Sequence, residues 1–81
     1  MSVNILLFSM LREAIGASAV QVEVSLPAKV ASVLEAASNQ NAVIAKNKTN
    51  IRIAVNGTFV EDGAWIKDTD EIAFITPVSG G

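Results

Sequence analysis

The groups able to do chemistry are few, and they point to one end of the chain. With no His and no Cys among 81 residues, a nucleophile–imidazole pair or a thiolate is excluded, since such a nucleophile needs a base within hydrogen-bond reach. Ser25 and Lys29 are a conceivable Ser-Lys pair, but two such residues close in sequence read first as a solvated surface pair. The one acidic cluster, Asp68, Asp70 and Glu71 in "DTDE", could serve acid-base work or a metal. It fits a turn before a strand better, because no further acid lies close by in sequence. None of the five glycines forms a phosphate-cradling loop at a helix start. What remains is "TPVSGG", Thr76 to Gly81, whose two final glycines end in the Gly81 carboxylate. Lacking Cβ, they suit a narrow channel and let a reagent approach that carboxylate.

Composition sets the frame. At 81 residues the chain holds one domain, and 51% hydrophobic with 17% charged residues place it with globular chains rather than disordered ones. The net charge is -2 and the six Lys and Arg residues are spread from Arg12 to Lys67, so there is no basic footprint for nucleic acid. No apolar run is longer than "ILLF", which is short and follows no basic residue, as neither a membrane span nor a signal peptide would have it. A cytoplasmic chain that binds no membrane is expected. The absence of cysteine leaves the redox context open.

The elements that must position the tail follow from periodicity. "VNILLFSM" (Val3 to Met10) is apolar on both alternating sets and reads as a central strand, closing at "LREAIGAS", a helix-like turn with Gly16. "AVQVEVS" (Ala19 to Ser25) alternates strictly and predicts a half-buried antiparallel partner. Pro27 suits the first turn of a helix, whose apolar face is Val30, Val33, Leu34 and Ala37. Ser38 to Asn41 should interrupt it, with one further short helix at "AVIAKN". "IRIAVN" predicts a strand, Asn56-Gly57 a two-residue hairpin turn, "TFVE" its return, and Glu71 to Ile75 a last strand. The order is ββαβββ.

Period-2 parity separates two sheet faces. Val20, Val22, Val24, Ile51, Ile53, Val55, Ile72 and Phe74 should meet the helix, with Val3, Ile5 and Leu7 as the inward set of the first strand. The other face then carries an apolar island of Leu6, Phe8, Ala54 and Ile75 leading to the tail. Thr76 precedes a proline and is pushed to extended geometry, and Pro77 cannot donate to a ladder, so the chain leaves the sheet there. Extended, Thr76 to Gly81 would reach roughly 20 Å. A Gly-Gly end alone is ordinary fraying. After a domain of this order, with a proline marking the exit, it reads as a reactive tail.

On these residues the chain resembles the small, sulfur-carrier subunits of molybdopterin synthase, also called molybdopterin-converting factor subunit 1. The resemblance spans the chain, through "VNILLFSMLREAIG", "AVNGTFV" and, most specifically, "DTDEIAFITPVSGG". It implies an α+β, ubiquitin-like β-grasp domain over residues 1–75, a mixed sheet packed against one main helix, and an extended tail over 76–81. It further implies that an ATP-dependent adenylating enzyme activates the Gly81 carboxylate, that a sulfur donor converts it to a thiocarboxylate, and that the tail (Pro77, Val78, Ser79, Gly80) inserts into a large subunit. There the sulfur passes to a pterin precursor to build the dithiolene that holds molybdenum. No cofactor or metal is implied for the chain itself, since ATP is used by the activating enzyme and catalytic side chains belong to the large subunit. Two small chains on a dimer of large ones are implied. Phe8, Phe59 and Ile75 match the family's partner-contacting positions. The chain departs from the family in having Ile75 and Thr76 for an aromatic and a proline, and Thr69 for a glycine. The pair Arg12 and Glu13 matches the family and equally suits a solvated helical turn. Three other readings share these features: a sulfur carrier of the thiamine type, a ubiquitin-like modifier that forms isopeptide bonds with lysines, and a binding module with a passive tail.

Overall fold

A computed structural model describes residues 2–77. Five strands form one sheet in the order β2-β1-β7-β4-β5. β1 (Ser2–Leu7) pairs antiparallel with β2 (Ala19–Glu23) and parallel with β7 (Ile72–Ile75), which pairs antiparallel with β4 (Arg52–Val55), itself antiparallel to β5 (Thr58–Val60). β1, β7 and β4 lie inside the sheet, with a paired neighbour on each side, and β7, the central strand, is wholly apolar. α1 (Met10–Ile15) follows β1 and stops at Gly16, whose φ of 81° is left-handed and whose N–H donates to Arg12 O at 2.9 Å.

The main helix α2 (Val30–Gln40) lays Val30, Val33, Leu34 and Ala37 on the sheet, where they meet Ile5, Leu7, Val22, Ile53, Ile72 and Phe74 in one core. Leu11 of α1, Ile44 of α3 (Ala42–Lys46) and Ile66 of β6 (Trp65–Ile66) close its sides. Inward and outward residues alternate along β1, as its burial shows: Val3, Ile5 and Leu7 are buried, Ser2 and Asn4 exposed. This is the α+β β-grasp architecture. Among the described residues no helix is long and apolar enough to cross a membrane.

Two expectations need correction. Pro27 does not enter the helix: the Leu26–Pro27 peptide is cis, and Ala28–Lys29 (β3) pair instead with β6 in a separate two-stranded sheet. The helix therefore starts at Val30, with its first donors taken by a loop: Val30 N–H donates to Ala64 O at 2.9 Å and Ala31 N–H to Asp62 O at 3.1 Å. Nor do Ser38 to Gln40 interrupt α2. Ser38 Oγ donates back to Leu34 O at 2.8 Å and Gln40 Nε2 to Gln21 O at 2.7 Å, so these polar residues find partners without leaving the helix. The break falls at Asn41, whose side chain accepts from Val43 N–H at 2.9 Å and caps α3.

Candidate functional site: the bare sheet face and the tail exit

The helices cover one face of the sheet, and the register fixes what the other presents. One row across it reads Ala19, Leu6, Ala73, Ala54 and Phe59, each the cross-strand partner of the next. Toward the tail the next row sets Arg52 against Ile75, with Phe8 beside them, its N–H donating to Phe74 O at 3.3 Å. The opposite row is polar: Gln21 against Asn4, then Glu71 against Asn56. An apolar band thus crosses the bare face on the side where the chain leaves the sheet.

Its members differ in what water reaches. Phe59 is 61% exposed and Phe8 41%, Leu6 and Ile75 are half-buried, and Ala54 and Ala73 are buried between larger neighbours. Two exposed phenylalanines on one face of an 81-residue chain stand out, because large apolar side chains gathered at the surface mark interaction sites while scattered ones do not. Thr76 is buried and Pro77 exposed. Pro77 stands in the wall of a groove of about 250 Å³ lined also by Asn50, Arg52, Ile53, Phe59 and Val60. The chain therefore leaves the domain beside Phe59 and Arg52. Val78, Ser79, Gly80 and Gly81 lie outside the described residues, as does Met1.

The hairpin that carries Phe59 is held from its far end. Asn56 and Gly57 adopt φ of 53° and 83°, the pair of positive values that a tight two-residue turn between twisted strands demands. Asn56 N–H donates to Glu71 O at 2.8 Å, Glu71 N–H returns a bond to Asn56 Oδ1 at 2.9 Å, and Asn56 Nδ2 donates to Asp70 Oδ1 at 2.9 Å. Asp70 also accepts from Lys67 N–H at 2.9 Å. The Lys67 backbone donor, and after it the Asn56 amide, hold the Asp70 carboxyl below its ordinary value. Within "DTDE", Asp70 by its carboxylate and Glu71 by its backbone thus brace the turn between β4 and β5. The only sequence cue was the turn composition itself.

The other candidates come apart. Lys29 Nζ lies 5.4 Å from the centroid of the Trp65 ring, a cation–π contact between partners of the small β3–β6 sheet, and no hydrogen bond joins it to Ser25. Trp65 is an exposed residue that the sequence reading did not single out. Its strand spans two residues, too short for an alternation to reveal. Among the described residues no group of three or more acids is placed to hold a metal ion, and no buried side-chain polar atom lacks a partner.

The comparisons with known proteins agree with this geometry. The molybdopterin synthase sulfur carrier subunit of Haemophilus influenzae is 36% identical over 80 residues, 96% of this chain and 98% of that one. Among solved structures, SAMP1 of Haloferax volcanii, small archaeal modifier protein 1, superposes with a TM-score of 0.81 at 28% identity, covering 100% of both chains. A putative molybdopterin converting factor subunit 1 from Pyrococcus furiosus gives 0.80 at 22% identity, over 96% of this chain and 99% of that one, a likeness of fold alone. Residues 5–81 match the ThiS family, and the chain, a ubiquitin-like β-grasp protein, belongs to that family.

Proposed function

We propose that this chain is the sulfur-carrier subunit of a molybdopterin synthase, a cytoplasmic protein whose domain, residues 1–75, presents a reactive tail, 76–81. The observation that carries the reading is the 36% identity, over nearly the full length of both chains, to a protein of that name. A carboxylate is a poor electrophile, so the Gly81 carboxylate first attacks the α-phosphate of ATP on an activating enzyme, releasing pyrophosphate and forming an acyl-adenylate. Sulfide supplied by a sulfur donor then attacks the acyl carbon, AMP leaves, and a thiocarboxylate results. Pro77, Val78, Ser79 and Gly80 deliver it into the large subunit, where the sulfur bonds to a pterin precursor and water cleaves the resulting thioester, restoring the Gly81 carboxylate.

The bare face supports this division of labour. Phe8, Phe59 and Ile75 flank the tail exit and would seat against the partner, the activating enzyme in one step and the large subunit in the other, in a complex of two small and two large chains. On this reading the catalytic side chains and the ATP site belong to the partners. The experiment is reconstitution with large subunit, activating enzyme, ATP, sulfur donor and pterin precursor. Deleting Gly81 should abolish dithiolene formation while thermal stability stays nearly unchanged; retained activity would refute the proposal, and a large loss of stability would make the tail part of the fold.

A second reading is favoured by the likeness to SAMP1. A modifier would share the adenylate and differ in its fate, the Gly81 acyl group ending as an amide on a lysine. Incubation with activating enzyme and lysate separates the two: lysine-linked adducts support the modifier, and a thiocarboxylate without adducts supports the carrier.

A further inference from the structure

Arg52 is out of keeping with the surface around it. It is the only Lys or Arg in the five strands of the sheet. It points away from the core, since its neighbour Ile53 is buried and the next residue on its own side is Ala54 of the apolar row. Across the ladder it faces Ile75, and it shares the tail-exit groove with Phe59 and Pro77. No described carboxylate pairs with it, neither Asp62, which also lines that groove, nor Glu61, which follows β5. The other acids of the bare face, Glu23 and Glu71, lie toward its far end, where the Glu23 carboxylate accepts from Ser2 Oγ and the Glu71 backbone is bonded to Asn56.

A partner that encloses the tail must pass over this guanidinium. Covering an ionised group without an anion is strongly unfavourable, whereas a bidentate carboxylate satisfies both its charge and its geometry. Charge at an interface of apolar contacts also selects between partners of similar shape. Resting on the proposed function, the geometry points to Arg52 as the residue that reads an acidic side chain of the large subunit, at the mouth of the channel that receives the tail. Phe8, Phe59 and Ile75 supply the contact area, and Arg52 the choice of partner and the register.

The test is a binding titration of the full chain against the large subunit from the same source, at low and high salt. Thermal unfolding confirms that each variant folds, which an exposed position permits. Arg52→Leu should weaken binding about 10-fold and Arg52→Glu about 100-fold or more, both with a shallower salt dependence than wild type, in keeping with truncated interfacial charge pairs. With Arg52→Lys, carbodiimide coupling should join the introduced amine to an Asp or Glu of the large subunit, located by mass spectrometry of the linked peptide. Wild-type affinity for Arg52→Glu, while Phe8→Asp loses binding, would overturn the role of Arg52 and leave the docking face standing. Wild-type affinity for both variants would overturn the docking face and this inference with it.

Discussion

Phe59→Ala separates a docking role from a folding role most sharply. A phenylalanine can bury roughly 200 Å², and 61% of Phe59 is exposed in the free chain, so a partner could still cover roughly 120 Å² of it. At about 25 cal/mol per Å² that area is worth at most about 3 kcal/mol, a factor of about 100 in affinity. Ordering at an interface consumes part of it. For Phe8, 41% exposed, the same reasoning gives about 2 kcal/mol and a factor of about 30. The expected result by calorimetric titration with the large subunit is a loss of roughly 10- to 100-fold for Phe59→Ala and a smaller loss for Phe8→Ala. Thermal midpoints should stay within about 4 °C of wild type, the shift that roughly 0.5–1 kcal/mol produces in a domain of this size. Affinity within about twofold of wild type for Phe59→Ala would refute the docking argument. A large fall in midpoint would show that the ring holds β5 to the sheet rather than serving a partner.

Three further outcomes test the scaffold beneath that face. Gly57→Ala should lower stability by about 1–2 kcal/mol, read by urea unfolding, because Gly57 sits at φ +83° and nothing lies within 4 Å of an added Cβ, which leaves only the backbone conformation to resist the change. Asn41→Ala should cost about 1 kcal/mol through loss of the cap on α3, with fraying at Val43 and Ile44 visible as faster amide exchange. The Asp70 carboxyl is held below its ordinary value by its bonds from Lys67 and Asn56, so its contribution is complete above the unfolded-state value of about 4 and fades as pH falls through the folded value. The stability difference between wild type and Asp70→Ala should therefore be constant from about pH 6 to 5 and shrink below about pH 4. A difference that grows on acidification would contradict the assignment.

The sheet was legible where one side of a strand is buried. "AVQVEVS" and "IRIAVN" alternate because the helix covers one of their faces, and Asn56-Gly57 announces its turn because few other pairs tolerate two positive φ values. The bare face was legible by subtraction: once Ile53 and Phe74 go inward, Ala54, Ala73 and Ile75 must go out. Parity did not reach Phe59: the family resemblance named it as a contact position, and its pairing with Ala54, which a strand of three residues does not disclose on its own, puts it on that surface. The two-residue strands at Ala28–Lys29 and Trp65–Ile66 carry no period, and their pairing joins segments nearly 40 residues apart. That long-range contact displaced the helix start from Pro27 to Val30. The polar run from Ser38 misled for a related reason, since its side chains bond back to Leu34 and across to β2.

The central claim is that Gly81 carries sulfur, and the most direct measurement is the intact mass of the chain after incubation with ATP, the activating enzyme and a sulfide source, followed by fragmentation of the C-terminal peptide. Localisation is essential because oxidation of Met1 or of the exposed Met10 adds nearly the same mass as exchange of one oxygen for sulfur. The account predicts a gain confined to Gly81 that depends on ATP. An unmodified Gly81 in the presence of a verified activating enzyme would contradict it.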